Sequence, residues 1–400
     1  MEKILQISNY MYPHVGGIEQ VARDIAQALS QTNVEQRIIC FNEDAADGAR
    51  RCRRRETTRD IVDGVDVVRC GCAAKIRSQS ISLTYPRELK RILAEFSPDV
   101  VVFHYPNPFE ARWLLKELPP ETKLILYWHL DIVKQIVLRG LFRGQNEALI
   151  RRADRIVATS VAYIDGSPWL SQCREKCVVI PNCINEERMR KTARSDDLAG
   201  EIRRKNRGKI ICLAVGRHIR YKGIAYLVQA AKQLDERTAV YIIGRGDETK
   251  KLMREAERDP KIHFLGTVSD DELKAWLTAA DIFCFPSITK NEAFGLALAE
   301  AMYYGKPAVT FTIPGSGVNE ICPNGQTGIE VPNRDVDAYA KAIRTLADDK
   351  RLRARLGANG RKRAEKELLF SQFGERIRAL LNGIEDPSSP GNAAQRRNGM

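Results

Sequence analysis

The chain has 400 residues, 44% of them hydrophobic and 29% charged, and carries a formal net charge of +13 from 64 basic and 51 acidic side chains. At roughly 100 to 200 residues per domain this length predicts two domains, each able to bury a core. The composition excludes a collagen, a disulfide-dense miniprotein and wholesale disorder, and no run approaches the ~18 uninterrupted apolar residues of a membrane span.

Lys3 is followed at once by Ile4-Leu5-Gln6-Ile7-Ser8, a strand rather than the apolar centre of a cleavable leader, so a cytoplasmic protein is expected. Further strand-like runs fall at 37–41, 65–69, 100–103, 124–128, 155–159 and 177–180. A second series falls at 209–215, 239–243, 262–265, 282–285, 308–311 and 328–331. Helical patterns lie between them, among them 223–234, 270–280, 295–305 and 335–348. The strand runs are apolar on successive residues, as parallel strands covered on both faces must be. The fold class expected is α/β: two Rossmann-like, doubly wound parallel-sheet domains, facing each other across a cleft lined by the carboxyl ends of the strands. The polar, basic stretch between the two series sets the divisions at 1–185, a linker and surface helix at 186–208, a second domain at 209–370, a last helix at 371–385 and a disordered tail at 386–400.

Ten cysteines are scattered, several within apolar runs; Cys70-x-Cys72 and Cys173-x3-Cys177 lack the second pair that a zinc site needs, so reduced thiols and no metal are expected. Basic clusters stand at Arg50, Arg51, Arg53, Arg54 and Arg55, at Arg151, Arg152 and Arg155, and at Arg203, Arg204, Lys205 and Arg207. They read either as solvated loops and helix faces or as attraction to something anionic, such as the inner face of a membrane. No aromatic–basic interleaving of an RNA-binding sheet is present, so no nucleic-acid partner is expected.

Four motifs carry chemistry. Gly16-Gly17 follows the first strand and opens a helix, where backbone amides can approach a phosphate or sugar, or where a tight turn needs positive φ. After the first strand of the second series comes Gly216-Arg217-His218-Ile219-Arg220-Tyr221-Lys222-Gly223; Arg217 and Lys222 with the following helix N-terminus can converge on a diphosphate. Glu292 precedes the 295–305 helix and Glu300 lies on it among apolar neighbours, where a carboxylate is costly unless it meets donors such as ribose hydroxyls. Glu292 with the amides of Phe294, Gly295 and Leu296 would ring the positive helix end; a capping acid plus an exposed Glu is the plainer reading. His129 ends the run 124–128 and would point into the cleft, to bond a sugar hydroxyl, shuttle a proton or serve structure alone. His104 sits on an analogous strand end, and Asp131 either orients His129 or caps the next helix.

These residues together resemble the family-4 retaining glycosyltransferases, also called glycosyl transferases group 1, of the GT-B fold. The matched elements are Gly16-Gly17-Ile18-Glu19, His129, Gly216-Arg217 to Lys222-Gly223, and the E-x7-E pair Glu292 and Glu300. Their surroundings agree: Gly244-Arg245-Gly246, Phe264-Leu265-Gly266-Thr267-Val268 and Ala301-Met302-Tyr303-Tyr304-Gly305-Lys306-Pro307. The resemblance implies a nucleotide-sugar donor held mainly by the second domain. Arg217 and Lys222 would bind its diphosphate, Glu300 the ribose, the loop at Val268 the base, and Glu292 with Phe294, Gly295 and Leu296 the sugar. Gly16 and Gly17 would touch the diphosphate and His129 the sugar near its anomeric carbon, so that His129 and Glu292 are the expected catalytic residues. Glu19, His104 and Asp131 would bind acceptor or orient. The implied reaction moves a hexose from a UDP or GDP sugar to a cell-surface glycan or lipid-linked acceptor. It retains configuration and uses no cofactor or metal; no D-x-D motif is present. The last helix would cross back to the first domain. Trp113, Trp128 and Trp169 with the basic clusters fit an acceptor on a lipid carrier, and Ala293, where many relatives have glycine, would trim space near the donor sugar. A nucleotide-sugar 2-epimerase and a non-catalytic nucleotide-sugar binder are the alternatives.

Overall fold

The computed structural model describes residues 2–14, 16–43, 55–76, 79–132 and 136–385. The chain divides into two compact units. The first comprises Met1–Thr159, Ser167–Pro181 and Phe370–Met400; the second comprises Ser160–Gly166 and Asn182–Leu369. The basic residues Arg50, Arg51, Arg53 and Arg54 and the tail 386–400 lie outside the described residues.

The first unit holds β1 (Glu2–Ile7), β2 (Val34–Phe41), β3 (Thr58–Val62), β4 (Val65–Cys70), β5 (Cys72–Ile76), β6 (Gln79–Ser82), β7 (Val100–Tyr105), β8 (Lys123–Trp128), β9 (Arg155–Ala158) and β10 (Cys177–Val179). Eight of these form one sheet in the order β10-β9-β8-β7-β1-β2-β4-β3, with β5 and β6 as a separate ribbon. All its pairings are parallel except β3 against β4. The second unit holds β11 (Ile210–Val215), β12 (Thr238–Ile243), β13 (Ile262–Gly266), β14 (Ile282–Phe285), β15 (Ala308–Phe311) and β16 (Gly328–Val331), ordered β13-β12-β11-β14-β15-β16 and wholly parallel. Both sheets are doubly wound. Their strand order reverses between β1 and β7 and between β11 and β14, and the carboxyl edge at such a reversal is where open α/β sheets bind ligands.

The strands expected from apolar runs are all present, and the four helices named from sequence appear as Ile224–Lys232, Asp270–Ala279, Leu296–Tyr303 and Val336–Asp348. Three strands have no counterpart in the sequence reading. β3 is the antiparallel edge of its sheet and alternates between covered and open residues, so it carries no apolar run. Asp63-Gly64 joins it to β4, with φ of 49° and 82°; an Asp-Gly pair at positive φ is the turn that matches hairpin twist. β5 and β6 are short, and each holds a single β-branched residue, Ile76 and Ile81.

Two segments fall differently from the sequence divisions. The helix Ala193–Lys205, within the stretch read as linker, belongs to the second unit and packs on the helix Asp270–Ala279. Its first turn is closed by a reciprocal Thr192–Ser195 cap. The short helix Val161–Gly166 also belongs to the second unit. Lys290 Nζ donates to the Gly166 carbonyl at 2.8 Å, and the Ala162 amide donates to Glu320 at 3.1 Å.

Candidate active site

In the second unit the loop after β11 is tied down on both sides. Buried His218 donates its amide to the Arg245 carbonyl at 2.9 Å, accepts from the Glu248 amide at 2.9 Å, and contacts Thr249 Oγ1 through Nδ1 at 2.9 Å. His218 is thereby turned inward and Arg217 stands exposed. At the loop's end Gly223 has φ +64°, and a Cβ there would lie 2.0 Å from the Pro286 carbonyl oxygen. The Ile288 amide donates to the Tyr221 carbonyl at 2.9 Å, so the loops after β11 and β14 are joined across the strand-order reversal.

That junction sets Lys222 Nζ 2.5 Å from Glu292 Oε2, with Ser287 Oγ donating to the same carboxylate oxygen at 2.9 Å. Burial works against the Lys222 charge, but Glu292 outweighs it and the ammonium is held above its ordinary pKa. Phe294 and Ala293 are buried, and Gly295 at φ +94° starts the helix Leu296–Tyr303. Lys222 and Glu292 therefore meet close to a helix N-terminus, a combination suited to phosphate and sugar oxygens. Glu300, on this helix and nearly buried, is ion-paired with Arg188 Nη2. The buried carboxylate thus has a protein donor, and its position does not by itself demand a ribose. Val268, just past β13, packs partly buried against the same core.

In the first unit Gly16 precedes the helix Gly17–Ser30 in extended conformation, φ −164°. It is not a positive-φ turn. A Cβ on Gly16 would lie 2.2 Å from Glu19 Oε2, so the glycine gives room for Glu19 to fold back over the helix start, with His14 Nε2 at 3.8 Å from its other oxygen. His104 on β7 and His129 just past β8 are directly bonded, Nδ1 to Nε2 at 2.9 Å, and His104 Nε2 meets Gln6 Oε1 on β1 at 3.0 Å. Burial pushes the His104 ring down to about 3, and burial with the His104 neighbour holds His129 well below the usual imidazole value. Both rings are neutral near pH 7, so His129 is a hydrogen-bonding group rather than a poised proton shuttle.

Asp131 accepts from Trp128 Nε1 at 3.0 Å and Ser167 Oγ at 2.9 Å, pinning the chain after β8; residues 133–135, before the next helix, lie outside the described set. Trp128 is fully buried and stacked on Tyr105 at 3.8 Å between ring centres. It cannot meet a lipid-linked acceptor as its sequence position suggests, because an aromatic on a central strand of a two-sided sheet is covered. Part of the basic character is likewise spent within the fold. Arg152 Nη2 donates to the carbonyls of Pro119 at 2.9 Å and Thr122, and Arg203 pairs with Asp281 at 2.8 Å. No helix among the described residues is long and apolar enough to cross a membrane.

Sequence reasoning missed Arg188, Ser287 and Gln6. Arg188 lies in the stretch read as linker, and its partner is 112 residues away, a separation no local pattern reveals.

Two doubly wound units in one chain, with cations, a carboxylate and a helix start at the strand reversal of the second, define a protein of the GT-B class. Residues 197–363 match the family described as glycosyl transferases group 1, and residues 16–183 that described as a glycosyl transferase 4-like domain. A D-rhamnosyltransferase, WbpZ, of Pseudomonas aeruginosa is 30% identical over 359 residues, 88% of either chain. The O-antigen chain mannosyltransferase C of Escherichia coli is 27% identical over 91% of this chain and 94% of its own. Among solved structures, Anabaena HepE in complex with UDP-glucose superposes with a TM-score of 0.76 at 17% identity, covering 96% of this chain and 100% of that one. The chain belongs to the family-4, group 1 glycosyltransferases, and is a hexosyltransferase.

Proposed function

We propose that this enzyme moves a hexose from a UDP or GDP sugar onto a growing cell-surface glycan or lipid-linked oligosaccharide, with retention of configuration and without a metal. The Lys222–Glu292 pair beside the helix start Gly295–Leu296 carries this reading. Lys222, using donors not engaged by Glu292, and exposed Arg217 bind the donor diphosphate. Glu292 takes hydroxyls of the sugar, and Glu300, held at Oε1 by Arg188, offers Oε2 to the ribose. The loop at Val268 takes the base. Gly16 and Gly17 approach the diphosphate, and His129 a hydroxyl of the sugar. Transfer breaks the bond between the anomeric carbon and the phosphate oxygen and forms one to the acceptor oxygen on the same face. The acceptor proton passes to the departing phosphate, whose charge is stabilised by Lys222, Arg217 and the helix amides. A cell-surface glycan as product is supported by the relatives from Pseudomonas aeruginosa and Escherichia coli, which act in rhamnose transfer and on the O-antigen chain. Contact with an anionic membrane surface during lipid-linked transfer belongs to the same reading.

The test is thermal stability against UDP, GDP, ADP, dTDP and CMP, with Glu300→Ala in parallel and EDTA as a control. A ligand at about 100 times its Kd adds roughly 2.7 kcal/mol. A shift with one diphosphate that survives EDTA and is lost in the variant supports the donor site and identifies the base. No shift with any of them would overturn it.

A further inference from the structure

A sugar hydroxyl both donates and accepts, so an imidazole that is to hold it in one orientation must itself be fixed as one tautomer. The strand register supplies the means. Gln6 on β1 is paired with Val102 on β7, two residues before His104; His104 is paired with Tyr127 on β8, two residues before His129. Side chains two apart share a face of a sheet, so Gln6, His104 and His129 form a diagonal on one face, each step displaced toward the carboxyl edge. All three are nearly buried, with 1%, 0% and 7% of their surfaces exposed. The two rings lie within 13° of parallel, with centres 5.2 Å apart.

The chain of bonds has a direction. With its amide oriented so that Oε1 faces His104, Gln6 can only accept there, so His104 Nε2 carries its hydrogen and donates at 3.0 Å. His104 Nδ1 is then the acceptor for His129 Nε2–H at 2.9 Å. We propose that Gln6 and His104 are positioning residues that hold His129 as its Nε2–H tautomer, presenting Nδ1 as a hydrogen-bond acceptor to a hydroxyl of the transferred sugar. This rests on the transferase reading above. Protonation of His129 would turn Nδ1 into a donor; the burial that keeps both rings neutral also keeps this acceptor across the physiological range.

The experiment combines ring-nitrogen NMR of the full-length enzyme with kinetics of His104→Gln, His104→Phe and Gln6→Leu. The spectrum is expected to show His129 protonated at Nε2 and bare at Nδ1 between pH 5.5 and 8. Gln at 104 still offers an amide donor to Gln6 and a carbonyl to His129, and should keep kcat within about threefold. Phe breaks the chain and should lower kcat about 10- to 100-fold, the usual cost of a misplaced group, with the donor KM little changed. Gln6→Leu should show both tautomers of His129 and an intermediate kcat, and stands in if the Phe variant does not fold. His129 found protonated at Nδ1, or equal losses in the Gln and Phe variants, would overturn the proposal. The spectrum needs no substrate: an enzyme that transfers no sugar would fail the transferase reading, while the tautomer is decided on its own.

Discussion

The Lys222 ammonium is held by Glu292 at 2.5 Å, and both side chains are mostly covered. Removing one member of such a pair leaves the other charge uncompensated, which is more costly than losing a surface ion pair. Lys222→Met is therefore expected to weaken nucleoside-diphosphate binding about 10- to 100-fold and to lower stability, read by calorimetric titration and urea unfolding. Glu292→Gln keeps the ammonium and should leave diphosphate affinity within a few-fold while cutting kcat by about 100-fold; equal losses in kcat and affinity would assign Glu292 to structure. His104 gives a stability signature of its own. Its folded pKa, pushed to about 3, lies below the unfolded value of 6.5, so the unfolded chain binds the extra proton between these limits. Its contribution is complete above about pH 6.5 and is lost as pH falls toward 3, at up to about 1.4 kcal/mol per pH unit. His104→Gln should flatten that acid slope in urea unfolding at pH 6.5, 5.5 and 4.5. At this scale sequence placed the charged and imidazole groups on the correct strand ends, because the carboxyl end of a parallel strand is legible from its apolar run. It did not show that Glu300 has Arg188, or that the two histidines touch, since those partners are brought together by the sheet and not by the chain.

The helix Asp270–Ala279 shows how local chemistry fixes an element. Ser269 accepts from the Glu272 amide at 3.3 Å, and Glu272 Oε2 receives the Ser269 amide at 2.8 Å, a reciprocal cap that satisfies two amides with no helical partner. Ser269→Ala should cost about 1 kcal/mol in urea unfolding of the second unit, with nucleotide affinity unchanged. The start of the helix Ile224–Lys232 is set differently. Gly223 there has both positive φ and the Pro286 carbonyl against it, so Gly223→Ala must push apart the loops after β11 and β14. That variant should lose diphosphate affinity as well as stability, because Lys222 is the preceding residue. Both helices were legible in sequence from apolar spacing. β3 was not, because an edge strand needs only one covered face; the Asp63-Gly64 turn was its one local signal.

On the scale of the whole molecule, the last helix decides how much of the chain the first unit needs. Phe370–Glu385 packs on the helix Gly17–Ser30, burying Phe373, Ile377, Leu380 and Leu381, and Arg378 donates to the Ala28 carbonyl at 3.2 Å. Uncovering four such side chains costs roughly 1.5–3 kcal/mol each, enough to exhaust the stability of a typical domain. A chain ending at Leu369 should therefore lose the first unit's calorimetric transition while the second unit, which includes no part of that helix, keeps its own. In the intact enzyme the matching nucleoside diphosphate should raise the second unit's transition more than the first's. What the sequence by itself determined were the two α/β series, the order of their strands along the chain and the loops that carry chemistry, because strand period, helix period and glycine placement act over a few residues. Only the tertiary structure decided which strands are neighbours, that residues 160–166 belong to the second unit, and how Gln6, His104 and His129 join. Those are pairings between segments far apart in sequence, fixed by sheet register and by burial of apolar faces, and neither is written in any local stretch of chain.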